Sequence, residues 1–182
     1  ILNSDLQTVG YHAAELFAYR PAVANFLAHI NANESMKVED EEEKKAYIKE
    51  AKRYREILFD LVSGDKNDRH VLDTDGEIAI AEQRYSDAAI ILDNAIFRYP
   101  DSDISVYRQS AFALDKINSV GLAIKRLKYI VEEDELIGRT NVDALLYKAH
   151  LELRIKETED AATTLSKLPE YALTSAKAQE AL

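Results

Sequence analysis

The sequence predicts an all-α chain built from successive antiparallel helix pairs, and three observations carry that reading. Only five Gly and three Pro interrupt 182 residues. Apolar residues recur at helical spacing, whereas β-branched residues are scattered through that pattern and never alternate over a run. Ala88-Ala89, Ala123-Ile124 and Ala161-Ala162 occupy matching places, 35 and then 38 residues apart. Self-similarity at such a period marks stacked helical hairpins.

The elements follow in order. Ser4 with Gln7 forms a capping box, and Leu6, Val9, Ala13, Leu16 and Phe17 then predict a helix over residues 5–18. Pro21 suits the first turn of a second helix whose apolar side is Ala24, Phe26, Leu27 and Ile30. The stretch 31–39 is polar and aperiodic and reads as a connector. Asp40, Glu41, Glu42 and Glu43 precede Lys44 and Lys45, the order that favours a helix start. Ala46, Tyr47, Ala51, Tyr54, Ile57, Leu58, Leu61 and Val62 continue that helix to Ser63-Gly64-Asp65. Thr74 with Glu77 predicts a helix over 75–83, followed after Arg84-Tyr85-Ser86 by one carrying Ala88, Ala89, Leu92, Ala95, Ile96 and Tyr99 up to Pro100. Residues 104–117 form the next, and Asn118-Ser119 turn the chain into Leu122, Ala123, Leu127 and Ile130. Thr140 with Asp143 caps 144–155, Glu157-Thr158 turn into Ala161, Ala162, Leu165 and Leu168, and Pro169 interrupts. Residues 171–182 read as a last helix.

The repeat has a packing logic. Alanine lets two helix backbones approach closely, and Leu92, Leu127 and Leu165, four positions on, fill the groove beside them. The first unit resembles the tetratricopeptide (TPR) motif. Gly76 matches its small first-helix residue, Tyr85 its turn aromatic, Ala88 and Ala95 its second-helix small residues, Leu92 its bulky position and Pro100 its terminator. The second unit keeps Ala111, Ala123 and Leu127 but has Ile130 where Ala is usual and Glu135 where Pro is usual. The third keeps Ala149, Ala161, Leu165 and a displaced Pro169. The resemblance covers residues 70–169 and implies a right-handed superhelical array whose first helices line a concave surface. It divides the chain into a helical region at 1–68, read as degenerate repeats or a cap, and repeats with a C-terminal helix at 69–182, within one continuous structural domain.

It also implies a protein-binding adaptor or scaffold and no enzyme. Carried over, the outward first-helix positions that meet a protein or peptide are Asp73, Glu77 and Ile80; Arg108, Phe112 and Lys116; and Leu146, His150 and Arg154. Arg108, Lys116 and Arg154 suit an acidic segment, with Phe112 as an apolar anchor. The lysine-and-asparagine clamp of some co-chaperone relatives is not reproduced. The competing readings are a self-associating structural module and the non-catalytic helical domain of a larger enzyme.

Composition narrows the function classes. A net charge of -10 disfavours nucleic acid and anionic lipid as partners. Without cysteine, no disulfide or thiolate site forms. No apolar run is long enough to span a bilayer. No dinucleotide, P-loop or nucleophile-elbow motif occurs, and no cofactor is expected. His12, His29, His70 and His150 are isolated in sequence and are read as surface or packing residues. Asp73-Thr74-Asp75-Gly76-Glu77 fails as a calcium loop, since its glycine comes one place early and its twelfth position is Arg84; the stretch reads as a helix cap. The ten tyrosines are read as gap-fillers with wet hydroxyls. The chain opens Ile1-Leu2-Asn3-Ser4 without an initiating Met and reads as a fragment or processed chain. The cytoplasm is the favoured compartment, with a periplasmic or extracellular location open if a signal or anchor is missing.

Overall fold

The computed structural model describes residues 20–169 and 172, where the chain is all-helical with no strand. Eight helices are described: α1 (Pro21–Ser35), α2 (Glu41–Leu61), α3 (Arg69–Ala81), α4 (Tyr85–Arg98), α5 (Ile104–Lys116), α6 (Val120–Leu136), α7 (Val142–Arg154) and α8 (Thr158–Ser166). The helices expected over 5–18 and 171–182 lie outside the described residues. The chain divides into two compact units, Ile1–Ser102 and Asp103–Leu182.

In the first unit α1 and α2 form a hairpin, both pack on α3, and α3 pairs with α4. Pro21 opens α1 as expected. The expected connector over 31–39 is shorter, because α1 runs on to Ser35. Its polar residues are satisfied within the helix: Asn31 Nδ2 donates to the Leu27 carbonyl at 2.8 Å and Ser35 Oγ to that of Ala32 at 2.6 Å. A polar side chain that returns its hydrogen bond to the preceding turn can be buried without orphaning a donor. Asp40 caps α2, accepting from the Glu42 and Glu43 amides at 3.0 and 2.8 Å. Three acidic residues follow in the first turn, where they complement the helix dipole.

The cap of α3 is not Thr74. The helix starts six residues earlier than expected, where Asp68 Oδ1 accepts from the His70 amide at 2.8 Å, and Thr74 is buried in its middle. The start of α7 is likewise set by Asn141 rather than Thr140, with Asn141 Oδ1 accepting from the Ala144 amide at 3.0 Å. Asp103 caps α5 in the same way, its Oδ1 accepting from the Ser105 amide at 2.8 Å. These three capping residues are spaced by 35 and then 38 positions, the same intervals as Ala88, Ala123 and Ala161.

The first-helix C-termini repeat with the same spacing. Gln83, Asn118 and Lys156 adopt φ of 60°, 60° and 67°. The amides that follow, of Arg84, Ser119 and Glu157, donate back to the carbonyls of Ala79, Leu114 and Glu152 at 2.8, 2.8 and 2.9 Å. This left-handed ending satisfies carbonyls that a helix end would orphan. The longer second interval has a plain origin: α6 has 17 residues where α4 has 14. Left-handed backbone is strained for a residue with a Cβ, and least so for Asn. Lys156→Gly is therefore expected to raise stability by about 0.5–1 kcal/mol in urea denaturation, net of the flexibility glycine adds to the unfolded chain. Asn118→Gly is expected to gain less.

In the α3–α4 and α5–α6 hairpins the small and bulky positions are buried as the repeat requires, whereas on α8 Leu165 is only half-buried and Ala162 is exposed. Ala88, Leu92, Ala111, Ala123, Leu127 and Ala149 are fully buried. Between α3 and α4 the approach is so close that a Cβ on Gly76 would lie 2.5 Å from Leu92 Cδ2 and 2.6 Å from its Cγ. In the second unit α5 pairs with α6, α6 with α7 and α7 with α8. There the rings of Tyr107 and Tyr129 stack with centroids 4.0 Å apart, and in the first unit Tyr54 is buried against Leu27 and Ala28. These three tyrosines fill gaps between helices.

Candidate functional site

Helix α3 is packed by α1, α2 and α4, and it is buried nearly all round. Its polar residues must then find partners. Asp73 and Glu77 are one helical turn apart and share a face. His29 of α1 sits between them, with Nδ1 2.6 Å from Glu77 Oε2 and Nε2 3.1 Å from Asp73 Oδ2. Asn25, one turn before His29, donates through Nδ2 to Asp73 at 3.4 Å and accepts through Oδ1 from the Thr74 hydroxyl. On the opposite side Arg55 of α2 grips Asp75 with two hydrogen bonds, Nε to Oδ1 at 2.7 Å and Nη2 to Oδ2 at 2.9 Å. The segment that resembled a cap or a cation loop is therefore the strip by which α1 and α2 are fastened to α3.

Electrostatics agrees with that geometry. Burial opposes charge on His29, but the flanking carboxylates, Asp73 first and Glu77 next, outweigh it and push the imidazole up to about 10. His29 is thus a buried cation, more than a packing residue. The sequence holds a signal for it: two carboxylates four apart on an otherwise buried helix require a cation from elsewhere.

These contacts correct part of the expected binding surface. Glu77 and Ile80 are buried, as is Leu146 in the second unit, so none of the three faces outward. Ile80 belongs to the last turn of α3, where Ile78, Ala79 and Ala81 are buried with it. Leu146 joins Leu145 and Ala149 in the apolar side of α7. Asp73 retains slight exposure, 13% for its side chain, and is committed to His29.

In the second unit the remaining positions make a different surface. Arg108, Phe112 and Lys116 lie at successive turns of α5, with both cations exposed and Phe112 half-buried. Neither Arg108 nor Lys116 pairs with a carboxylate among the described residues. The Lys116 ammonium instead lies 5.1 Å from the Phe112 ring centroid, a cation–π placement that keeps it over the aromatic. On α7, His150 is exposed and Arg154 donates to Asp115 of α5. The Tyr147 hydroxyl donates to the other Asp115 oxygen at 2.7 Å. Burial first, and that hydrogen bond second, hold the Tyr147 phenol well above its ordinary range. Asp115 was not among the residues the sequence singled out, and Tyr147, expected to turn its hydroxyl to water, gives it to Asp115 instead; the two tie α5 to α7 and fix Arg154. Below them Lys148, Glu152 and Thr164 form a closed buried network linking α7 to α8, in which Thr164 Oγ1 donates to Glu152 Oε2 at 2.8 Å and Lys148 Nζ donates to Thr164 at 2.7 Å.

Among the described residues no cluster of three or more His, Asp and Glu side chains could hold a metal ion. No helix described is long and apolar enough to cross a membrane. The described residues define an all-α class of helix hairpins, with Arg108 and Lys116, unpaired by any described carboxylate, on either side of Phe112 on α5. No protein-family model matches the chain, and no curated protein matches its sequence.

Proposed function

We propose that the chain is a non-catalytic protein-interaction adaptor or scaffold whose hairpins continue a tetratricopeptide-like superhelical array. Its binding face is carried by α5 and α7. The observation behind this reading is the pair of exposed cations, Arg108 and Lys116, that find no carboxylate among the described residues and flank Phe112. Several other cations of this acidic chain are paired, Lys52 with Glu82, Arg55 with Asp75, Arg84 with Asp87 and Lys167 with Glu135; others, such as Lys49, Lys125 and Lys156, also find no carboxylate among the described residues, and what marks Arg108 and Lys116 is the aromatic between them. Two cations left open around an aromatic suit an acidic segment, with an apolar side chain of the partner resting on the ring. His150 and Arg154 extend the face, Arg154 held in place by Asp115.

Affinity capture from extract, comparing the wild-type chain with Arg108→Ala/Lys116→Ala, tests the reading. Both residues are exposed, so melting should be nearly unchanged. A bound partner should be weakened about tenfold by loss of the two charges, and more at low salt. A partner retained equally by the double variant would remove this face.

A further inference from the structure

The acidic segment that this face suits is present in the chain itself. Residues 39–43 read Glu39, Asp40, Glu41, Glu42 and Glu43, all exposed, at the loop between α1 and α2 and the first turn of α2. Asp40 is used as the helix cap. Of the others, Glu42 pairs with Lys45 at 2.7 Å and Glu41 reaches Lys44 only at 4.0 Å. Both are surface pairs of little strength. The same loop exposes Met36, 43% accessible, within a few residues of the acidic run. In contrast, α5 exposes Arg108 and Lys116 on either side of Phe112, and the one carboxylate of that helix, Asp115, is engaged by Arg154 and Tyr147.

We infer that the α1–α2 loop and acidic start of α2 of one copy dock on the Arg108–Phe112–Lys116 face of a second copy. This rests on the proposed binding face and names its occupant. Glu41, Glu42 and Glu43 meet Arg108 and Lys116, and Met36 rests on Phe112, a thioether-to-ring contact that suits a flexible side chain. The two surfaces are different patches of one chain, so the contact is heterologous: the copy whose loop is docked still offers its basic face, and the other still offers its acidic loop. Repeated from copy to copy, such a contact links them head to tail.

Sedimentation of the purified chain against concentration is the test. At low salt the weight-average mass should rise from the 20.6 kDa of one copy past twice that value. It should fall back toward one copy when salt shortens the reach of surface charges to about 3–8 Å. Two variants sharpen the result: Arg108→Glu/Lys116→Glu destroys the basic face, and Glu41→Gln/Glu42→Gln/Glu43→Gln destroys the acidic loop while leaving the Asp40 cap. Each alone should stay at one copy, with unchanged helicity by circular dichroism. Mixed, the pair keeps one intact contact and should reach twice the mass and no more. A wild-type chain that stays at one copy at high concentration and low salt overturns the inference, as does a mixed pair that does not associate. If the chain stays single while Arg108→Ala/Lys116→Ala still loses a captured partner, the binding face stands and only its occupant is wrong.

Discussion

Replacing His29 with Ala is expected to lower the unfolding free energy at neutral pH by about 3 kcal/mol, the usual cost of leaving a buried charge without its partner. The loss has little to do with the volume removed. Glu77 is 6% and Asp73 13% exposed at the side chain, and without the imidazolium two carboxylates one turn apart would face each other across a dry junction. Neutralising them should recover much of the loss, so His29→Ala/Asp73→Asn/Glu77→Gln is predicted to be more stable than His29→Ala alone. The pH dependence has a fixed sign. The His29 pKa is raised from 6.5 to about 10 on folding, so its contribution is complete below the lower value, declines as pH rises between them and is gone above the higher. Urea denaturation between pH 6 and 10 should show a decline in the wild type that His29→Ala lacks. The His29 ring resonances should not titrate near pH 6.5; a normal titration there would mean that the imidazole is not held between the two carboxylates.

That junction also marks where the sequence was legible and where it was not. Hairpin pairing and its 35- and 38-residue intervals were readable because they depend on local packing: Ala88, Ala123 and Ala161 are all buried where the pattern put them. The α2 start was readable because its cap and acidic first turn are contiguous in sequence. The α3 start was misread because Thr74 and Glu77 have capping-box spacing, while the residues that consume that polarity, Asn25, His29 and Arg55, lie 20 to 49 positions away. No local rule ranks such distant partners against a cap. The same blindness applies to Glu77 and Ile80, outward on a first helix considered alone but covered once α1 and α2 pack on it. Arg108 and Lys116 were expected to face outward only through the tetratricopeptide resemblance, and the same carry-over also placed the buried Glu77, Ile80 and Leu146 outward. The part of Asp115 in holding Tyr147 and Arg154 was not readable, since it joins residues 32 and 39 positions apart.

Substituting Gly76 with Ala should destabilise the chain by about 2 kcal/mol, although alanine is the better helix former and would ordinarily gain about 1 kcal/mol at a helix interior. The sign is decided by the neighbour. A Cβ at residue 76 would meet Leu92 at both Cδ2 and Cγ, at 2.5 and 2.6 Å, so rotating a terminal methyl cannot relieve the overlap. Leu92 is fully buried, so any swing of its side chain must displace packed neighbours. Either its side chain leaves its rotamer or α3 and α4 move apart, and both disturb packing on every side. Leu92→Ala alone should also be costly, about 2–5 kcal/mol, by opening a cavity. The double variant Gly76→Ala/Leu92→Ala should cost clearly less than the two losses together, because the new methyl enters space the leucine has vacated. Simple additivity in denaturation would mean that the two residues do not touch, and that the close approach of α3 and α4 is misplaced.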